Sequence, residues 1–243
     1  MKYIDIKGEI VDSGSEWLYD WYGIQATSPK MVQNALNQAN GEDITIRINS
    51  GGGSVFAGCD IYNMLKTYKG NVNIEIHGLC ASIAGVIAMS GKVKMSPVAQ
   101  FMIHNVSGKS KGDYRDMEHT AETLKKANKT IANAFILKTG MSEEYIKNLM
   151  DNETWLTADE CLELKIIDEI MYSNEKFDSD ISNILRNQAS MMYNSISFEN
   201  DILDKLKNYK PVITQPKNNE VDFFMQQKAK AKLNLLNLKR SID

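Results

Sequence analysis

The feature that most restricts how this chain can fold is a unit that occurs twice: an alternating strand pattern, a glycine break, then an apolar helical pattern. In residues 43–49 (Asp-Ile-Thr-Ile-Arg-Ile-Asn) β-branched apolar side chains alternate with polar ones, which predicts a strand. Ser50-Gly51-Gly52-Gly53 ends it, and a helix follows with Ile61, Met64, Leu65 and Tyr68 on one face. Residues 71–77 (Asn-Val-Asn-Ile-Glu-Ile-His) predict a second strand, Gly78 a break, and Cys80 to Met89 a second, nearly all-apolar helix. A third strand is expected over residues 98–104. Strands and helices alternating at this spacing predict parallel pairing in an α/β fold, with reactive residues where strand ends meet helix starts. Ser82 and His104 fall at such points.

The flanking sequence extends this plan. Residues 2–7 alternate as an opening strand and carry no apolar run of the signal-peptide kind, so secretion is not expected. Residues 113–138 predict a long helix with a stripe of Tyr114, Met117, Ala121, Leu124, Ile131 and Phe135. A short helix is expected from Glu143 to Met150, and Thr157 with Glu160 forms a capping box for a helix ending near Leu164. After Ser173 the composition turns to Asn, Ser, Lys and Asp, which sets a boundary between a catalytic domain, residues 1–173, and a polar extension, 174–243. Within the extension only residues 223–238 suggest an amphipathic helix.

Composition removes several function classes. A net charge of -3 with scattered Lys and Arg gives no general electrostatic reason to bind nucleic acid. The longest apolar stretch, residues 79–89, is far below the roughly 20 residues that span a bilayer. Cys59, Cys80 and Cys161 are odd in number, far apart and in apolar surroundings, so free thiols in a reducing, cytoplasmic compartment are expected, with no metal site. No cofactor motif is assigned.

Ser82 lies among small residues at the start of an apolar stretch, where a serine commonly caps a helix. Its combination with a glycine turn and a strand-end histidine points instead to acyl transfer, which needs a nucleophile, a base and oxyanion donors. The N–H groups of Gly52 or Gly53 and of Ile83 are the candidate donors. Of three histidines, His119 sits on a charged helix, His77 could be a hydrogen-bonded core residue, and His104 ends an apolar strand and is the candidate base. The carboxylate that would orient it is Asp151 or Glu153, and the pattern does not choose between them.

Over about residues 4–171 these segments resemble the Clp protease proteolytic subunits. Ile48-Asn49-Ser50-Gly51-Gly52-Gly53 with Ala57-Gly58, the stretch from Gly78 through Ser82 to Ala84, and Met102-Ile103-His104 resemble that family's oxyanion, nucleophile and histidine motifs in the family's order. Thr139-Gly140-Met141 and Trp155-Leu156-Thr157-Ala158 through Ile167-Asp168-Glu169-Ile170 resemble its downstream landmarks. The resemblance implies a crotonase-like spiral of β-β-α units, with the 113–138 helix as a protruding handle joining stacked rings of subunits, and a serine endopeptidase acting on protein or peptide substrates. Matching the family's aspartate through Trp155-Leu156-Thr157-Ala158 puts Glu153 at that position, one methylene longer, with Asp151 as the alternative. Gly51 stands where the family usually has proline.

The aromatic run Trp17 to Tyr22 and Val55-Phe56-Ala57-Gly58 resemble the phage head maturation branch, which implies scaffold or capsid substrates in a host cytoplasm or prohead. The short sequence ahead of the first strand leaves open whether a Clp ATPase is a partner. The rival readings are a housekeeping-type subunit working with an ATPase unfoldase, a crotonase-fold enzyme acting on an acyl-CoA, and a ring-forming scaffold with a decayed site.

Overall fold

The computed structural model describes residues 2–172. Strands β1 (Lys2–Ile10), β3 (Ile44–Gly53), β4 (Val72–Ala81), β5 (Lys92–Met95) and β8 (Glu169–Ile170) run parallel, and β2 (Ala26–Thr27) extends the sheet beyond β1. Their pairing follows from side-chain alternation. Ile4, Ile46, Ile74 and Val93 stand in one cross-strand row, and Ile6, Ile48, Ile76 and Met95 in another, all buried. The intervening row reads Asp5, Arg47, Glu75, Lys94, Glu169, alternating in sign across five strands. A slip of one residue would exchange these rows between core and solvent, so the register is strongly specified.

Helices α2 (Pro29–Ala39), α3 (Val55–Lys66) and α4 (Ile83–Ala88) connect successive strands, giving a mixed α/β protein with a largely parallel sheet. Strand β4 branches. Its first half pairs with β5, and its end, Leu79 to Ala81, pairs with β6 (Gln100–Ile103). Strand β7 (Thr154–Leu156) then adds antiparallel to β6. The longest helix, α5 (Tyr114–Thr139), begins at an Asp113–Asp116 capping box and ends at left-handed Gly140. Its C-terminal half reaches the core through Phe135, whose ring meets Phe101 edge-on at 6.3 Å. Full burial of one such side chain stabilises by about 1.5–3 kcal/mol. Its N-terminal half leaves Tyr114 and Met117 exposed, so the expected stripe is a core face only from Ile131 onward. Helices α6 (Glu143–Asp151) and α7 (Ala158–Glu163) follow, and Thr157 and Glu160 make the expected reciprocal cap.

Several boundaries differ from the sequence expectations. Strand β3 does not end at Asn49 but shifts register and continues to Gly53. Strand β4 passes through Gly78 to Ala81, so the helix expected over residues 80–89 shrinks to α4. Gly78 is a close approach: a Cβ there would lie 2.6 Å from Asn49 Oδ1, which accepts the Leu79 N–H at 3.0 Å. Helix α1 (Glu16–Tyr22), α2 and β5 were not anticipated, although Ser28 caps α2 and Pro29 opens it. Cys80 and Cys161 are buried, Cys59 is half-buried, and all three are free. The 174–243 extension and its expected helix lie outside the described residues. Among the described residues no helix is long and apolar enough to cross a membrane.

Candidate functional site

Ser82 occupies the single residue between β4 and α4. Its backbone has a positive φ in a sparsely populated region (φ 57°, ψ −127°), a conformation that costs a non-glycine residue on the order of 1–3 kcal/mol. Neighbours on both sides hold it there: its N–H donates to Met102 O and its carbonyl accepts from the Gly85 N–H, each at 3.0 Å. The side chain makes no capping bond to α4. Instead Oγ lies 2.8 Å from His104 Nε2. A helix cap therefore does not explain this serine.

His104 follows β6, and the same strand delivers both partners. Ala81 pairs with Met102, which brings Ser82 alongside the end of β6, and the antiparallel β6–β7 register pairs Ile103 with Thr154. Glu153 directly precedes β7, and its charge acts on the His104 ring. The imidazole is partly shielded, and burial lowers its pKa below the ordinary value, while the charge of Glu153 pushes the other way. Burial is the larger effect and keeps the ring neutral, the state in which it can accept a proton. Glu153 is exposed, has φ 44°, and makes no hydrogen bond to His104 among the described residues. Asp151 is engaged elsewhere: it accepts from Asn105 Nδ2 at 2.9 Å and pairs with Lys147, and these bonds hold its carboxyl below the usual range. His77 is exposed beside Glu75 at 3.1 Å, not in the core, and His119 is exposed on α5.

The glycine turn comes up against the serine. A Cβ on Gly52 would stand 2.7 Å from Ser82 Cβ and 3.2 Å from its Oγ, and its φ of +100° already requires glycine. A Cβ on Gly53 would meet Ile10 O at 2.1 Å. The Gly52 N–H donates to Ser50 Oγ at 3.1 Å, and Ser50 in turn donates to Gly8 O at 2.6 Å. Gly52 thus brings its backbone close to Ser82 but spends its N–H within the turn, leaving Gly53 and Ile83 as the candidate oxyanion donors to test. Ile83 opens α4, where the first N–H groups of a helix have no intrahelical acceptor. Gly58 of α3 fixes this end of α4, because a Cβ there would overlap Ile83 Cγ1 at 2.2 Å.

Three polar residues shape the site without a role assigned from sequence: Asn49 and Ser50, inside the glycine motif, and Asn105, beside His104. Each is a small polar residue beside a motif residue, and the available signal was that such a side chain next to a buried turn needs a partner. The arrangement suits covalent acyl transfer, in which a neutral imidazole takes the proton of an adjacent hydroxyl. Among the described residues no His, Cys, Asp or Glu group is clustered so as to hold a metal ion.

Comparison with known proteins agrees with this chemistry. A family model described as Clp protease matches residues 25–174. The ATP-dependent Clp protease proteolytic subunit 1 of Chlamydia abortus is 33% identical over 138 residues, covering 55% of this chain and 72% of the relative. The ATP-dependent Clp protease proteolytic subunit of Bacteroides fragilis is 36% identical over 134 residues, covering 54% and 65%. That of Streptococcus pneumoniae is 36% identical over 142 residues, covering 56% and 72%.

Proposed function

Because the chain belongs to the Clp protease family, and is on that ground a serine-type peptidase, we propose that it cleaves protein or peptide chains through an acyl-enzyme on Ser82, with His104 as general base. The observation that carries this reading is the 2.8 Å approach of Ser82 Oγ to His104 Nε2, made by a serine held in a strained backbone and not used as a cap. In the first half-reaction His104 takes the hydroxyl proton, the oxygen bonds to the scissile carbonyl carbon, and the proton passes to the departing amine as the C–N bond breaks. Water then attacks the ester, His104 taking its proton and returning it to Ser82 Oγ as the acyl C–O bond breaks and the carboxylic acid product leaves. Gly53 and Ile83 N–H groups stabilise the oxyanion, a donor of this kind being worth about 2.7–4 kcal/mol. Glu153 supports the imidazolium that forms. The domain that does this spans residues 1–173, and 174–243 serves as an appendage.

The protein works as a homo-oligomer, in stacked rings, inside the cytoplasm. Two finer readings differ in partner. In the first it is a phage prohead protease acting on scaffold or capsid proteins, with the extension as an assembly or self-processing segment. The aromatic helix α1 favours it: Trp21 stacks on Tyr22 at 6.2 Å and meets Trp17 at a tilt at 6.4 Å, on a helix that buries no residue. In the second it feeds on chains delivered by a Clp ATPase, which the relatives' own names favour. The deciding experiment for the chemistry is labelling of the purified protein with a fluorophosphonate, locating the modified residue by mass spectrometry. Labelling at Ser82, lost in Ser82→Ala and His104→Ala, is the expected result; no labelling in correctly assembled protein would bring the decayed-scaffold reading forward, and acyl-CoA turnover retained in Ser82→Ala would favour the thioester enzyme.

A further inference from the structure

The segment that leaves His104, residues 105–112, has no regular secondary structure, yet it is not loosely attached. It runs back along the exposed half of α5 in a series of paired contacts. The Val106 N–H donates to Asn128 Oδ1 at 2.7 Å. A Cβ on Gly108 would lie 3.4 Å from Leu124 Cδ2. Thr120 Oγ1 donates to Ser110 Oγ at 2.8 Å, and the Asp113 N–H donates to Asp116 Oδ2 at 2.9 Å. Successive partners on α5 are four residues apart, one helical turn each, so the strap follows one face of the helix. The contact nearest the site, Asn128 to Val106, is also the shortest of these bonds. On the other flank Asn105 donates to Asp151 at 2.9 Å.

We propose that Asn128 is a positioning residue for His104: its carboxamide oxygen fixes the backbone two residues beyond the imidazole and so makes the geometry of the base depend on the seating of α5. The inference rests on the peptidase reading for its consequence but not for its geometry. A hydrogen bond on Val106 constrains the ψ of Asn105 and thereby the direction in which β6 delivers His104. Without it the Val106 peptide loses its bond to α5 and keeps the packing of the Val106 side chain on the core and, on its other flank, the exposed Asn105–Asp151 contact. Loss of the anchor lets water reach the ring, and an imidazole whose pKa is depressed by burial then titrates closer to its ordinary value. A purely structural role for Asn128 would lower stability without moving that titration.

The test compares Asn128→Ala with Asn128→Asp, which keeps an acceptor oxygen in place, in the full-length assembled protein. Ring titration is followed by NMR of ¹³C-histidine-labelled protein; with only three histidines, His104→Ala assigns the resonance. In Asn128→Ala the His104 midpoint is expected to rise and fluorophosphonate labelling of Ser82 to slow about tenfold, within the scale by which a misplaced reacting group costs rate. Asn128→Asp is expected to restore the labelling rate; its added charge raises the His104 midpoint by itself, so the midpoint is read in Asn128→Ala. An unchanged His104 midpoint in folded, assembled Asn128→Ala overturns the proposal, as does an equal labelling defect in both variants. If wild-type protein fails to label while the midpoint still moves, the peptidase reading is lost and the positioning role stands.

Discussion

The two ends of the candidate site are built differently. At one end Ser82 sits between strands, its backbone bonded on both sides, with Gly52 pressed against it and a buried isoleucine helix behind it. At the other end Glu153 stands on an exposed left-handed turn and reaches His104 through charge alone. The first arrangement is a property of the folded core and can change only if the core changes. The second is a property of a surface turn, and it can change without disturbing the core. In catalysis of this type the carboxylate also orients the imidazole before reaction, so a carboxylate that acts on the ring through charge alone makes the weaker end of the site.

The sharpest way to break this contrast is at the tight end. Gly52→Ala must displace either the turn or Ser82, and is expected to slow Ser82 labelling by at least about a hundredfold, the scale of an ångström misplacement, with the far-ultraviolet spectrum retained. Wild-type labelling in that variant would show that the close packing is not required. At the loose end Glu153→Gln is expected to cost about tenfold in kcat, far less than the ~10⁴ lost when a carboxylate already bonded to the imidazole is neutralised. Its pH profile carries the sign. Glu153 raises the His104 pKa, so its removal lets the pKa fall further, and the acid limb of kcat/KM moves to lower pH. Asp151→Asn is expected to change kcat less than about threefold and to leave the limb in place, since that carboxylate faces Asn105 and Lys147. If the two carboxylate variants exchange these phenotypes, Asp151 and not Glu153 is the partner of the base.

The tight end was the part most legible in the sequence. Ser82, His104 and the glycines announce themselves because a serine, a histidine and a glycine run each follow a strand, and the strands themselves are marked by isoleucine alternation. The boundaries next to Ser82 were less legible. Leu79, Cys80 and Ala81 are apolar and short, and such a run reads equally as strand or helix until its partner is known. That partner is β6, some twenty residues later in the chain, and pairing across such a distance leaves no local mark. The choice between Asp151 and Glu153 was illegible for a related reason. It depends on the β6–β7 register and on the side chain of Asn105, both tertiary facts.

The positive φ of Ser82 has a consequence for how such a protein changes over generations. Glycine in its place would relieve strain of about 1–3 kcal/mol, against an entropic cost of about 0.5–1 kcal/mol. Ser82→Gly should therefore melt no lower than the parent protein while labelling not at all, a result that thermal unfolding followed by circular dichroism would check. For most residues the fold and the activity are defended by the same selection, since losing one endangers the other. Here a single codon step exchanges activity for stability. In any lineage where cleavage ceases to matter, this position should be among the first to drift, leaving behind an intact fold.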